Sequence, residues 1–375
     1  MSLEPLKCSS MNYVWGKIGN QSLVYQLLNS SGQNDLQDNQ YYSELWMGDH
    51  PSAPSLIKRT NQKISEEHEL PFLSKILSIQ TPLSLQCHPN KSQAEKLYQS
   101  YPGTFPDSNE KPEMAVFLSK TSLLYGFRPY NDIISYINNV SEFREICSDS
   151  ADVFLQEQNS TTLKLLFTSI IKTPHEKVLD SVHRFQRHIN ENPSLLDESA
   201  LRAFRIIQQY FPDDVGNFFP LFLNVVEKEK GTALYIPPGT LHAYLAGDLY
   251  EIMTVSDNVI RAALTKKFID IDNLLEIVEF QPQPPIFVQP IQESPSIVCY
   301  KGPKNKFIVK IIKLSKNEQV TVPEHRMSSI LLNLKGCSNI LDENHPEGTV
   351  LLVPKMTHFE ISSPDGSTLI IGSII

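Results

Sequence analysis

The hydrophobic pattern of this chain changes period twice, which limits the folds open to it. From Met1 to about Asp132 the sequence reads as short strands broken by turns, punctuated by Pro51, Pro54, Pro71, Pro82, Pro89, Pro102, Gly103 and Pro106. Short strands with proline-rich turns favour a sandwich or barrel over a parallel α/β sheet. Between about Asp132 and Asp213 the pattern becomes helical. Val178, Val182, Phe185 and Ile189 fall on one stripe of an amphipathic helix starting near Pro174. Leu201, Phe204, Ile207 and Phe211 make a second stripe, with Asp197 and Glu198 near the positive end of its dipole. Strand character returns from Gly216 in PLFLNVV, TALYIPPGTLHAYL and DLYEIMTV, and persists from Pro303 to Ile375 in FIVKIIKL, SSILLNL, TVLLVP and STLIIGSII. The expected architecture is mainly β with a helical insertion. Residues 1–132 and 215–302 form a discontinuous jelly-roll sandwich, 133–214 an all-α insertion, and 303–375 a smaller C-terminal β domain.

A weak internal repeat supports duplicated jelly rolls. Gly231-Thr-Ala-Leu-Tyr-Ile-Pro leading to His242 resembles Gly348-Thr-Val-Leu-Leu-Val-Pro leading to His358. The second copy lacks the other polar residues of the first and reads as a structural relic.

Charge and cysteine usage narrow the function classes. The 375 residues carry a formal net charge of −9 without a basic run, which disfavours a general nucleic-acid binder. An anionic ligand must then be held by a few focused cations. No apolar stretch approaches the ~18 residues of a membrane span, and MSLEPLKCSS has neither a charged n-region followed by an apolar core nor a small-residue cleavage site, so no secretory leader is expected. Cys8, Cys87, Cys147, Cys299 and Cys337 are odd in number and form no CxxC pair, the usage of a reducing compartment. The expectation is a soluble cytoplasmic protein, with any metal site built from His, carboxylate and amide.

Three segments concentrate polar chemistry. In Thr81-Pro-Leu-Ser-Leu-Gln-Cys-His-Pro-Asn, strand parity puts Ser84, Gln86 and His88 on one face and Leu83, Leu85 and Cys87 on the other. Gln86 and His88 could present an oxygen and a nitrogen to one metal, or form a hydrogen-bonded surface pair. In Asn109-Glu-Lys-Pro-Glu-Met-Ala, Lys111 and Glu113 lead into an apolar strand; Glu113 is a possible third ligand or part of a solvated turn. In Tyr235-Ile-Pro-Pro-Gly-Thr-Leu-His-Ala-Tyr, His242 and Tyr244 share a face, Glu251 falls on what should be the next strand, and Asp257 and Arg261 follow. Ionisable groups this dense in an apolar region are costly unless paired or metal-bound.

These segments resemble the type I phosphomannose isomerases, zinc enzymes of the cupin superfamily. The likeness runs in order through Tyr13-Val-Trp-Gly-Lys, Glu44-Leu-Trp-Met-Gly-Asp-His-Pro-Ser, Pro71-Phe-Leu-Ser-Lys-Ile-Leu-Ser, Leu85-Gln-Cys-His-Pro-Asn-Lys and Asn109-Glu-Lys-Pro-Glu-Met-Ala, then Pro212-Asp-Asp-Val-Gly, Tyr235-Ile-Pro-Pro-Gly-Thr-Leu-His-Ala-Tyr and Ser256-Asp-Asn-Val-Ile-Arg. It covers about residues 10–270, and the C-terminal third matches in general character. The resemblance implies one Zn2+ held by Gln86, His88, Glu113 and His242. It implies Arg261, Glu251 and Lys111 as catalytic residues, and Ser84, Lys75, Tyr244 and Asp257 around a sugar-phosphate substrate. The implied reaction interconverts mannose 6-phosphate and fructose 6-phosphate through an enediol, on the route to GDP-mannose, in a monomer without nucleic-acid or membrane partners. One position departs: the family usually has His where this chain has Glu110, which cannot act as a neutral imidazole.

Other motifs read as structural. Cys87 faces the core by parity, His50 belongs to the Trp46-Met-Gly-Asp-His-Pro turn, and His175, His183 and His188 read as solvated positions on the insertion. No P-loop, GxGxxG or GxSxG is present. Two rivals remain: a cupin iron(II) oxygenase, which prefers two His and one carboxylate, and a non-catalytic sugar-phosphate-binding cupin, which would leave Glu251, Lys111 and Arg261 unexplained.

Overall fold

One strand of 13 residues, His242–Thr254, organises the molecule. A computed structural model describes residues 3–374. The first half of this strand pairs with Thr121–Phe127 and Leu85–Cys87, the second half with Phe72–Ile79 and Glu113–Phe117, all antiparallel. It therefore belongs to both walls of a flattened jelly roll. The bend lies at Gly247, whose φ of 126° is foreign to other residues and where an added Cβ would meet Thr121 Oγ1 at 2.5 Å. Inward-facing parity slips by one just before it, at a bulge where Tyr244 and Ala246 pair with the consecutive residues Leu123 and Ser122: His242 and Tyr244 face the interior before the bulge, and Leu249, Glu251 and Met253 after it. Glu251 thus lies on the same strand as His242, not the next one as the sequence pattern suggested.

Burial on both faces explains why these strands read as apolar runs rather than clean alternations. Outward residues Ala243, Leu245, Leu85, Cys87 and Leu124 join one continuous core with the helices. Outward residues of the other wall, including Phe72, Ile76, Met114, Val116, Tyr250 and Ile252, pack against Ile330, Leu332 and Ile370 of the C-terminal sheet. That contact is close: a Cβ on Gly372 would meet the Tyr250 hydroxyl at 2.0 Å. The chain is strand-rich, 34% strand and 30% helix, with cupin-type domains flanked by the helical insertion.

Sheet membership divides the chain differently from the boundaries expected above. Glu4–Lys7 pairs with Val350–Val353, and Pro290–Ser294 and Ile297–Lys301 also join the C-terminal sheet. Backbone pairing across domains is invisible to local periodicity. The helices of the insertion run from Tyr130–Asn139 to Phe219–Phe222, so PLF of the PLFLNVV segment is helical and its strand begins at Leu223; Leu23–Ser30 and Lys91–Ser100 are helices inside the segment read as strands and turns. Both copies of the repeat do form a positive-φ glycine turn (Gly231, 90°; Gly348, 82°) before a strand. His358 is exposed and far from being a ligand in a buried cluster.

Asp197 anchors the insertion to the jelly roll. Its side chain caps helix Glu198–Tyr210 by accepting from the Ala200 N–H at 2.8 Å, accepts from the Tyr136 hydroxyl at 2.8 Å and meets Arg128 Nη1 at 3.0 Å. Burial pushes its pKa up, but the Ser199 hydroxyl, the cap, Tyr136 and Arg128 outweigh it and hold the group down at about 2. Asp197→Ala should cost ~1 kcal/mol at neutral pH in urea melts. Because the folded pKa is depressed, the difference should be full above about pH 4 and vanish as pH falls toward 2.

Candidate active site and metal centre

The jelly-roll interior opens into a cavity of about 520 Å³. Both walls supply it. Lys75 stands opposite Glu251 in register and Gln86 opposite both His242 and Arg261. Ser84, Gln86, Lys75, Lys111, Glu113, Tyr244, Glu251, Asp257 and Arg261 line it. The parity read for the 81–90 segment holds from Ser84 onward: Ser84 and Gln86 face the cavity while Leu85 and Cys87 are fully buried in the core shared with the helices; Leu83, which precedes the strand at Leu85, departs from it and lines the cavity.

At the cavity floor, His88, Glu113 and His242 bring one potential ligand atom each within 4.8 Å of one another. His88 Nε2 lies 3.3 Å from Glu113 Oε1, and His242 Nε2 lies 3.3 Å from Glu113 Oε2. The far side of each ring is committed: His88 Nδ1 is 2.8 Å from the Asn258 carbonyl and His242 Nδ1 is 2.9 Å from the Thr240 carbonyl. Carbonyls only accept, so each Nδ1 carries a proton and each neutral ring turns its Nε2 lone pair inward. His88 Nε2, His242 Nε2 and Glu113 Oε2 are buried without a hydrogen-bond partner. Lone pairs facing one another in a dry site are unfavourable unless a cation sits among them, and carbonyl-oriented imidazoles are the usual outer shell of a metal. The donors present fit a zinc ion.

Electrostatics divide the remaining groups. Burial foremost, and then the Lys111 charge, push His88 down to about 4, which favours the neutral ring. Burial opposes ionisation of Glu113, but with both imidazoles neutral the Lys111 charge beside it still favours the carboxylate and holds it below the usual range. Lys111 Nζ is 3.4 Å from Glu113 Oε1. Glu251 behaves oppositely: burial first, then the Glu113 charge, raise it to about 7 against the pull of Lys75 and Lys111. Its carboxylate accepts from the Tyr244 hydroxyl at 3.2 Å and lies 4.0 Å from Lys75 Nζ. A buried carboxyl poised near neutrality is what proton transfer requires.

Residues 3–130 match the family model of the type I phosphomannose isomerase catalytic domain, and residues 137–223 match that family's helical insertion domain. The chain belongs to the type I phosphomannose isomerases. Mannose-6-phosphate isomerases of Rattus norvegicus and Homo sapiens are each 32% identical to it over 98% of this chain and 93% of theirs. A point mutant of phosphomannose isomerase from Salmonella typhimurium has a TM-score of 0.86 at 28% identity, covering 100% of both chains. A mannose 6-phosphate isomerase bound with zinc and yttrium has a TM-score of 0.85 at 27% identity, covering 100% of both chains. The protein is an enzyme of this isomerase family.

Several lining residues escaped the sequence reading of this isomerase. Trp46 carries Lys75 Nζ 4.7 Å above its ring, and its indole N–H donates to Glu44 Oε2 at 2.6 Å. Tyr13, Trp15, His50, Lys266 and Lys267 also line the cavity. Only the alternation Glu44-Leu-Trp-Met hinted at an inward polar face there. Glu110 does not reach this cavity; it pairs with Lys306 of the C-terminal region and lines a separate surface depression. His188 on the insertion is not simply solvated, since its Nδ1 lies 3.0 Å from the nearly buried Glu142 carboxylate.

Proposed function

We propose that this chain interconverts mannose 6-phosphate and fructose 6-phosphate through an enediol, using one zinc ion held by Gln86, His88, Glu113 and His242. Within the cell this would connect fructose 6-phosphate to GDP-mannose precursors. The observation that carries the reading is the juxtaposition of a near-neutral buried carboxyl, Glu251, with a buried donor cluster that has no proton to share. When bound, zinc would supply a Lewis acid that polarises sugar oxygens and offsets charge developing on them.

The protein's own groups divide the rest. Glu251 takes the C2 proton of the open-chain aldose and returns it to C1, while the hydroxyl proton moves from O2 to O1; Lys111 is the second candidate for this transfer. Tyr244 holds the Glu251 carboxylate through its hydroxyl. Lys75 is engaged with Glu251 deep in the cavity, whereas Arg261 is half-buried and meets no carboxylate within 4 Å among the described residues. Burial alone pulls the Arg261 pKa downward, as for a cation awaiting an anion. The phosphate therefore goes to Arg261, assisted by Lys266 and Lys267 at the rim, with Ser84 and Asp257 on sugar hydroxyls. Glu110, turned out toward Lys306, takes no part in ring opening.

His88, Glu113 and His242 alone would also suit iron(II); Gln86 in the cavity wall and the family favour zinc. A coupled assay from mannose 6-phosphate to fructose 6-phosphate, with and without chelator, tests the proposal. Turnover should be present, fall to background with chelator and return with Zn2+. Chelator-resistant turnover, or sugar-phosphate binding without turnover, would refute it.

A further inference from the structure

We propose that His50 is a positioning residue for the isomerisation: it holds the Asp257 carboxylate at the cavity wall through one oxygen and leaves the other for a sugar hydroxyl. The inference rests on the function proposed above. His50 is 2% exposed and lines the same cavity as Asp257. Its Nδ1 accepts from the Ser52 backbone N–H at 3.2 Å and lies 3.0 Å from the Ser52 hydroxyl. A backbone N–H can only donate, so in the neutral ring Nδ1 bears the lone pair and Nε2 the proton. That Nε2 lies 3.3 Å from Asp257 Oδ1. The ring cannot swing away, because Trp46 packs edge-on at 4.7 Å and is itself tied to Glu44.

Asp257 needs such a partner. Its side chain is 49% exposed, and His50 is the one polar partner its carboxylate has within 4 Å among the described residues. The backbone around it is fixed separately by Asp107, which accepts from the Asp257 N–H at 2.9 Å, the Ser256 hydroxyl at 2.9 Å and the Asn258 amide at 3.0 Å. The turn is therefore rigid while the carboxylate could still rotate into solvent. His50 removes that freedom before substrate arrives, which is the role of a group that acts through another. A purely structural His50 would need only its contacts to Trp46 and Ser52, and would not require its proton to face a half-exposed carboxylate.

The test compares His50→Ala, His50→Gln, Asp257→Asn and the His50→Ala/Asp257→Asn double variant by kcat, KM and zinc content, together with 15N histidine NMR of the resting protein. His50→Ala should keep its zinc and lose about 10- to 100-fold in kcat/KM. His50→Gln, which can still donate near the Nε2 position, should recover most of that loss. The double variant should be no worse than Asp257→Asn, because the two act as one unit. The His50 signal should report an Nε2-protonated ring whose proton resonance moves in Asp257→Asn. Additive losses in the double variant, an Nδ1-protonated ring, or a resonance indifferent to Asp257 would overturn the proposal. If the parent enzyme does not isomerise mannose 6-phosphate, the function reading fails, while the NMR arm still decides whether His50 holds Asp257.

Discussion

Replacing His242 by alanine should leave protein that retains the fold, binds no zinc and shows no measurable isomerase activity. The ring is fully buried, its Nδ1 side is spent on Thr240, and its Nε2 has no partner but the proposed metal. Removing it deletes a ligand and leaves Glu113 with His88 and Lys111, and loss of a ligand from a zinc site of this type ordinarily ends binding. Metal analysis of purified protein gives the direct readout, with circular dichroism as the check on folding. A folded His242→Ala protein with full zinc occupancy would show that the ligand assignment is wrong. Thr240 presents only its backbone carbonyl to the ring, so Thr240→Ala should bind zinc nearly as well as the parent. The contrast separates loss of the ligand from general damage to the turn.

Glu251→Gln should abolish exchange of the C2 proton of mannose 6-phosphate with solvent while zinc content stays intact. The amide preserves shape and the contact with Tyr244 but cannot accept the proton, and losing a positioned base costs roughly 10²–10⁴-fold. The pH dependence follows from the same group. Glu251 is raised to about 7, by burial first and by Glu113 second, so the reactive carboxylate accumulates as pH rises. Turnover should climb through that region and level off above it; a cation among His88, Glu113 and His242 offsets the Glu113 charge and moves the limb lower. Stability runs the other way. A folded carboxyl with a raised pKa favours folding fully only below its ordinary value, and that contribution is lost as pH rises toward 7. Urea melts of metal-free protein at pH 8 should therefore find Glu251→Gln at least as stable as the parent. If Glu251→Gln exchanges the C2 proton at the parent rate, Lys111 inherits the role.

Much of the fold was legible because local period and tertiary burial agree. The stripe Val178, Val182, Phe185 and Ile189 is buried as its spacing dictates, and Asp197, at the positive end of the following helix, caps it. The candidate polar face was legible for the same reason, since a strand that divides a dry core from a wet cavity must alternate Leu85 and Cys87 with Ser84 and Gln86. Where two faces are both dry, alternation disappears. That is why Phe72–Ile79 and the second half of His242–Thr254 revealed little about which residues point inward.

What the residues determined by themselves was the strand-and-insertion plan, the family-like motifs and the types of side chain available for chemistry. Only the tertiary structure decided which of them meet. A bulge at Leu245, beside the Gly247 crossing from one wall to the other, slips the parity of one strand, so Glu251 turns to the same interior where the His242 ring meets Glu113. Pairing of Glu4–Lys7 with Val350–Val353 carries the N-terminus into the C-terminal sheet across nearly the whole chain. The orientation of Glu110 toward Lys306, and of His50 toward Asp257, likewise depends on segments far apart in sequence. Local patterns record which face of an element is dry; they carry no record of which distant element dries it, because that contact is set by packing and closure of the whole sheet.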